Sequence, residues 1–256
     1  MIRKTFFYYF SPTGGTKRIG ETFAKAAAEN VVYENLGDRS WKEEGEGDGE
    51  DVLAVVALPV YGGRIPELAA EKLRMVTGRG RKAVTLAVYG TRAYEDALLE
   101  MNDLLEERGF RVIASGAFIA QHSIVNIVGR GRPDARDMEE IQKFAEKVLH
   151  KIETNEDTKV TVPGSRPYRN GMRHGAAPVS TDACTFCGCC EQVCPAGAVT
   201  MLEKEVRTDA GKCILCMACT AVCPTRARVL PAAVYEPLEQ KLGPLKDVYR
   251  ENEIFL

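Results

Sequence analysis

The chain has 256 residues, with 34 Lys and Arg against 36 Asp and Glu, giving a formal net charge of −2. That balance offers no pull toward nucleic acid or an anionic membrane surface, and no apolar run approaches the roughly 20 residues that span a bilayer. The length suits two small domains or one large one, and the apolar stretch at 6–10 ends in Ser-Pro-Thr-Gly-Gly and not in a small-residue cleavage site, so a cytoplasmic protein is expected.

Residues 2–10 are β-branched and aromatic and read as a strand. Residues 16–29 carry Ile19, Phe23, Ala26 and Ala27 at helical spacing. A short strand is expected at 31–33 and a Gly/Glu-rich loop at 41–50, continuing an acidic run to Asp51. Residues 52–60 are almost continuously apolar, the mark of a strand buried on both faces of a parallel sheet. Pro66 opens a helix to about Met75. A strand at 82–89, a helix at 94–108 stopped by Gly109, a strand at 110–120 and a long helix at 134–152 follow. Five strands alternating with helices predict an α/β fold with a doubly wound, five-stranded parallel sheet over 1–158, in the order 2-1-3-4-5.

Residues 159–178 form a linker rich in Pro, Gly and Arg. It reads as a solvated connector, as a strap between two domains, or as a docking patch for an acidic partner through Arg166, Arg169, Arg173 and His174. A small α+β domain is expected at 179–230. The extension 231–256, with weak helical character at 238–249, either packs across a domain or mediates a dimer.

All 9 cysteines fall between Cys184 and Cys223, a clustering that suits metal and not a disulfide framework. Residues 184–195 and 213–224 each contain C-x₂-C-x₂-C-x₃-C-P, and the second run repeats the first at an offset of 29 residues. Structural zinc uses two C-x₂-C pairs per ion, not three close cysteines and a distant Cys-Pro. A cubane takes four thiolates, one per iron, and in two-cluster ferredoxins the fourth cysteine of each run serves the other cluster. On that arrangement Cys184, Cys187, Cys190 and Cys223 hold one [4Fe–4S] cluster, and Cys213, Cys216, Cys219 and Cys194 hold the second. Cys189 is left over, and is expected to be a small buried residue or an alternative ligand. The segment 180–230 resembles bacterial-type two-cluster ferredoxins.

The turn after the first strand, Ser11-Pro-Thr-Gly-Gly-Thr16, places hydroxyls and backbone N–H groups at a helix start, where an anion is favoured. It lacks both G-x₄-G-K-[ST] and G-x-G-x-x-G, so a terminal monophosphate fits better than a nucleotide triphosphate or a dinucleotide. Two further loops, Pro59-Val-Tyr-Gly-Gly-Arg-Ile-Pro66 and Tyr89-Gly-Thr-Arg-Ala-Tyr-Glu-Asp96, follow the third and fourth strands, where open α/β sheets bind ligands.

These three loops resemble those of flavodoxins. The resemblance implies FMN, with its phosphate on Ser11, Thr13, Gly14, Gly15 and Thr16. It implies ring contacts from Pro59, Val60, Tyr61, Gly62 and Gly63 and from Gly90, Thr91, Arg92, Tyr94 and Glu95, with Tyr94 stacked on the ring. Tyr61 and Tyr94 also suit plain packing, and Arg64 and Arg92 suit either solvent or an anionic reduced flavin. His122 suits the flavin vicinity or a packed site. The order of the two halves resembles fused flavodoxin–ferredoxin proteins of anaerobic prokaryotes. That resemblance implies electron transfer between the clusters and FMN, with unidentified redox proteins as partners. A reductase acting on a small-molecule acceptor beside His122, Arg92 and residues 121–131 is a second reading. A redox-sensing interaction module is a third.

Overall fold

The computed structural model describes residues 2–42, 51–156, 158–172 and 175–256. Residues 43–50 of the loop expected at 41–50, and Arg173 and His174 of the linker, lie outside the described residues.

Strand β1 (Lys4–Tyr9) is followed by helix α1 (Gly15–Ala27), strand β2 (Asn30–Asn35) and strand β3 (Val52–Pro59). Helix α2 (Glu67–Leu73), strand β4 (Lys82–Tyr89), helix α3 (Ala97–Glu107), strand β5 (Arg111–Ile119) and helix α4 (Ala135–Glu153) complete the first half. The five strands pair in parallel in the order β2-β1-β3-β4-β5. This is the doubly wound order expected, with its switch point between β1 and β3.

Alternation along β1 explains the two cores. Phe6 and Tyr8 point to one face of the sheet, under α2 and α3, with Leu58, Leu73 and Met101. Phe7 and Tyr9 point to the other, under α1 and α4, with Ile19, Phe23 and Phe144. Each fully buried side chain of this size contributes roughly 1.5–3 kcal/mol. Helix α4 starts on a capping box, in which Asp134 accepts from the Asp137 N–H at 3.0 Å and Asp137 accepts from the Asp134 N–H at 2.7 Å.

The second half is built on two short antiparallel pairs. Strand β6 (Val179–Ser180), helix α5 (Cys189–Gln192), strand β7 (Val199–Leu202), strand β8 (Glu205–Thr208), helix α6 (Ala218–Ala221) and strand β9 (Arg228–Val229) follow in order. β6 pairs with β9 and β7 with β8. The sequence repeat is also a backbone repeat. Phe186 and Leu215 share φ values of 55° and 52°, Gly188 and Met217 share 79° and 62°, and Gly197 and Arg226 share 58° and 55°. A left-handed backbone at Phe or Leu is strained, and it recurs at both copies of the cysteine run.

The tail departs from expectation. Helix α7 spans Ala232–Leu242, with Pro237 inside it, and passes into a short 3₁₀ turn, Gly243–Asp247. The chain then returns to the first half as strand β10 (Glu253–Phe255), antiparallel to β5. The sheet therefore has a sixth, antiparallel edge strand beyond the five predicted. Only three residues long, β10 has no periodicity to announce it.

The linker is a strap. Asp96 accepts the backbone N–H of Ser165 at 2.9 Å and of Arg169 at 2.8 Å. Asp103 pairs with Arg166 and with the Tyr168 hydroxyl, and Glu95 pairs with Arg169. Arg64 donates to the Arg169 carbonyl at 2.9 Å and stacks over the Tyr168 ring at 4.8 Å. The arginines expected to be solvated, or free for an acidic partner, are thus satisfied at Arg166 and Arg169 by the chain's own carboxylates.

Candidate redox site

The phosphate-type turn forms as its sequence suggests. Gly14 sits at φ 91°, a conformation that strains any L side chain, and this turns the chain into α1. Ser11 holds the turn, its Oγ accepting the Lys17 N–H at 2.8 Å and its carbonyl accepting the Gly14 N–H at 3.3 Å. Gly14 offers no side-chain cap and the first turn of α1 holds no acid, so the N–H groups of Gly15 and Thr16 remain available to an anion.

Beyond the carboxyl ends of the strands lies a cavity of about 120 Å³. It is lined by Pro12, Thr13, Gly15 and Thr16 from the first loop, residues 59–62 and 88–90 from the next two, and residues 120–124 after β5. Met172 of the strap and Leu215 of the second cysteine run close it. A larger space of about 590 Å³ shares much of this wall and extends past Gly63, Arg92 and Arg169 to α7, where Val234, Pro237, Leu238 and Lys241 face it. Gly62, at φ 61°, lets the strap come close: a Cβ there would stand 2.7 Å from the Met172 nitrogen.

Not every predicted contact faces this space. Tyr94 is turned into the core, edge-on to Tyr89 at 5.3 Å, with its hydroxyl donating to Glu253 at 3.0 Å. The position expected to stack on a flavin is thus occupied in holding β10. Thr91 is buried at φ 65°, and Glu95 bridges Arg92 and Arg169; neither lines the cavity. Arg64 is bidentate to Glu100, at 2.7 and 2.6 Å, so its charge is used on α3.

His122 does face the cavity. Its Nδ1 accepts the N–H groups of Ile124 at 3.2 Å and Val125 at 3.0 Å, which fixes the proton on Nε2. Burial, with the Arg92 charge nearby, pushes its pKa down to about 4. It is a neutral donor at any ordinary pH.

The cysteines fall into an inner and an outer set. Cys194, Cys213, Cys216 and Cys219 are all buried, whereas Cys184 and Cys223 are half-buried and Cys187 is exposed. Cys190 is buried as well. Burial pushes the Cys216 thiol up to about 12 and raises Cys190, Cys213 and Cys219. Thiolates this desolvated need a positive centre, which iron supplies. Burial also raises the Tyr61 hydroxyl, and Tyr61 of the second loop lines the same cavity as Leu215, next to Cys216 in the chain. Cys189, expected to be buried, is half-buried and touches the Cys187 thiol.

Polar groups aim at the sulfurs. The Ala198 N–H donates to Cys194 Sγ at 3.2 Å. Arg228 is buried and its Nε has no hydrogen-bond partner. Among the described residues no three His, Cys, Asp or Glu side chains gather as a single ion would require. A cubane, with one thiolate on each of four irons, spreads its sulfurs wider than that. The buried thiols and the orphaned Arg228 donor fit clusters held by these residues.

Residues 176–224 match the 4Fe-4S dicluster domain family. The chain joins a flavodoxin-like sheet to a 4Fe-4S dicluster segment, which fits a flavodoxin–ferredoxin fusion. Among solved structures it is similar to a flavodoxin of Streptococcus pneumoniae TIGR4, at 19% identity over 58% of this chain and 99% of that one, TM-score 0.42. It is similar to oxidised flavodoxin 1 of Bacillus cereus, at 16% identity over 57% and 97%, TM-score 0.42. It is also similar to the rubredoxin:oxygen oxidoreductase of Desulfovibrio gigas, at 12% identity over 60% and 37%, TM-score 0.40. No curated protein matches the chain. Among the described residues no helix is long and apolar enough to cross a membrane.

Proposed function

We propose that the protein relays electrons between two [4Fe–4S] clusters and FMN within one chain. One observation carries this reading: Leu215, flanked by Cys213 and Cys216, lines the same cavity as Gly15, Thr16 and Gly90. The inner cluster, on Cys194, Cys213, Cys216 and Cys219, then lies against the flavin site. The outer cluster, on Cys184, Cys187, Cys190 and Cys223, faces solvent. Phe186, the repeat equivalent of Leu215, is 43% exposed there, and is where an external one-electron protein partner would approach.

FMN, when bound, exchanges one or two electrons, whereas each cluster passes one. The α1 N-terminus would hold the phosphate, and residues 60–63 with Gly90 and Arg92 would border the ring. Tyr61, Met172 and Leu215 would exclude water between the flavin loops and the inner cysteines, and His122, whose Nδ1 accepts two backbone N–H groups, would offer its Nε2–H as a donor. Oxygen-poor cytoplasm suits such exposed cluster chemistry.

The full chain purified without oxygen is expected to carry about eight irons and one FMN. Rapid mixing with reduced methyl viologen should reduce the flavin through the clusters. Cys213→Ser should retain FMN and lose most of that flavin reduction rate. An equal rate in both proteins, or a holoprotein lacking either cofactor, rejects the relay. A second reading, reduction of a small molecule over the flavin, draws on the about 590 Å³ of space bordered by Arg92 and Lys241. Steady-state turnover with candidate acceptors distinguishes it.

A further inference from the structure

The two cysteine runs superpose in sequence, but one buried position differs in kind. Twenty-nine residues before Arg228, the offset between the runs, stands Val199. Both are buried, Val199 at 4% and Arg228 at 4% exposure. The fold thus accepts an apolar residue at this place, and in the second copy it holds a cation instead. Burying a guanidinium costs several kcal/mol unless something anionic or well bonded offsets it.

Its hydrogen bonds offset only part of that cost. Nη1 donates to Ser180 Oγ at 3.0 Å, and Nη2 donates to the Pro178 carbonyl and to Thr208 Oγ1, both at 2.7 Å. All three acceptors are neutral, and no carboxylate pairs with Arg228 among the described residues. Nε is buried and makes no hydrogen bond. These three bonds fix the group in place. β9 packs on α6, which carries Cys219, the Cys219 thiol is a hydrogen-bonding neighbour of the Arg228 side chain, and Cys190 and Cys213 lie within range of its charge. Those thiols belong to both predicted clusters, Cys190 to the outer and Cys213 and Cys219 to the inner.

We infer that Arg228 is a fixed cation between the two clusters that favours their reduced forms and so sets the potential at which the pair accepts electrons. Each cluster gains one negative charge on taking one electron, with no bond made or broken. A neighbouring positive charge in a dry site stabilises that product more than the oxidised form. Arg228 acts through the clusters and is a positioning residue. The inference rests on the two-cluster reading and is independent of the flavin.

The test compares wild type, Arg228→Lys, Arg228→Gln and Arg228→Met as full-length proteins loaded with iron and sulfide. Iron content is measured first, then the reduced fraction of each cluster by EPR during an anaerobic titration with dithionite. The neutral variants should keep the wild-type iron content. Their reduced-to-oxidised ratio at a fixed potential should fall about tenfold, which is about 59 mV for a one-electron couple. Both clusters should move in the same direction, and Lys should restore most of the ratio. Unchanged ratios in Gln and Met overturn the inference. So does an equal loss in Lys and Met, or failure of the neutral variants to take up iron, since either makes Arg228 purely structural. A wild type holding iron for fewer than two clusters rejects the two-cluster reading instead, and is recognised by the iron assay before any variant is compared.

Discussion

The strap that binds the cluster segment to the sheet depends on Asp96, and Asp96→Ala tests how firmly. Asp96 is only 7% exposed. It stands at the N-cap position of α3 yet makes no cap bond with its side chain. Both its carboxylate oxygens accept strap amides instead, from Ser165 at 2.9 Å and Arg169 at 2.8 Å. A hydrogen bond to a charged group contributes about 1.5–3 kcal/mol. Two such bonds, taken at the low end because they share one carboxylate, give about 3 kcal/mol. Since about 1.4 kcal/mol is a factor of ten, opening of the strap should become roughly a hundredfold easier. The Arg166–Asp103 and Arg64–Arg169 contacts remain, so the strap loosens without leaving. Hydrogen exchange reads this directly, because the Ser165 and Arg169 amides are the donors. They should lose about two orders of magnitude of protection in Asp96→Ala and about half that, on a logarithmic scale, in Asp96→Asn, which keeps one good acceptor. Amides of β3 and β4 should not change. Unaltered strap protection, or loss spread equally over the sheet, would refute the assignment of Asp96 as the strap's anchor.

Other substitutions probe the sheet, the cavity and the tail. A methyl group at Gly20 would stand 2.3 Å from Phe7 Cε2 and 2.8 Å from Ala57 Cβ. Gly20→Ala gains about 1 kcal/mol of helix propensity but loses about 3 to overpacking, so a fall in thermal midpoint of roughly 4–8 °C is expected by circular dichroism. His122→Leu should weaken FMN binding about five- to tenfold in a fluorescence titration, the worth of one neutral hydrogen bond. Because the His122 pKa is pushed down to about 4, the wild-type contribution should be flat from pH 5.5 to 8, and a break near 6.5 would contradict the fixed tautomer. Burial pushes the Asp137 carboxyl up, but Arg132, the Asp134 N–H and Asn252 outweigh it and hold it below its ordinary value. The stability it adds is therefore complete above the unfolded carboxyl value of about 3.9 and disappears as pH falls through the lower folded one. The difference in denaturation midpoint between wild type and Asp137→Asn should be constant from pH 7 to 5 and shrink only below pH 4.

The parts legible in sequence were those imposed by local rules. Metal coordination fixes cysteine spacing, so both runs announce themselves. Burial on two faces makes β3 and β4 continuous apolar runs, and Gly14 marks a turn that only a permissive residue makes easily. What escaped depends on contacts distant along the chain. The strap's partners, Glu95, Asp96 and Asp103, lie far back in the chain from Arg166 and Arg169, and no pattern links them. Tyr94 has the residue type expected to cover a flavin, but residue type does not say which way a ring turns, and Glu253 of the returning tail turns it inward. The difference between Val199 and Arg228 was visible in the aligned repeat. It gains meaning only once both are known to be buried, since an exposed arginine there would be unremarkable.

The return of the chain to its starting sheet gives the strap its function. The cluster segment is tied at its front by residues 162–172 to α3, and at its back by β10 to β5. A segment held on one side only would swing, and the gap between Leu215 and the three loops would open and close with it. Held on both sides, Leu215 keeps one position in the wall of the cavity. The strained φ of 52° at Leu215 is consistent with this, because such a backbone persists only where its surroundings over-determine it. Phe186 shares the strain, at φ 55°, yet is 43% exposed. On the proposed relay, the same loop would serve two ends of one path, closed against the first-half loops at Leu215 and exposed at Phe186. Tethering would make the inner step of such a relay independent of protein concentration, and would leave the outer step as the one at which a partner is chosen.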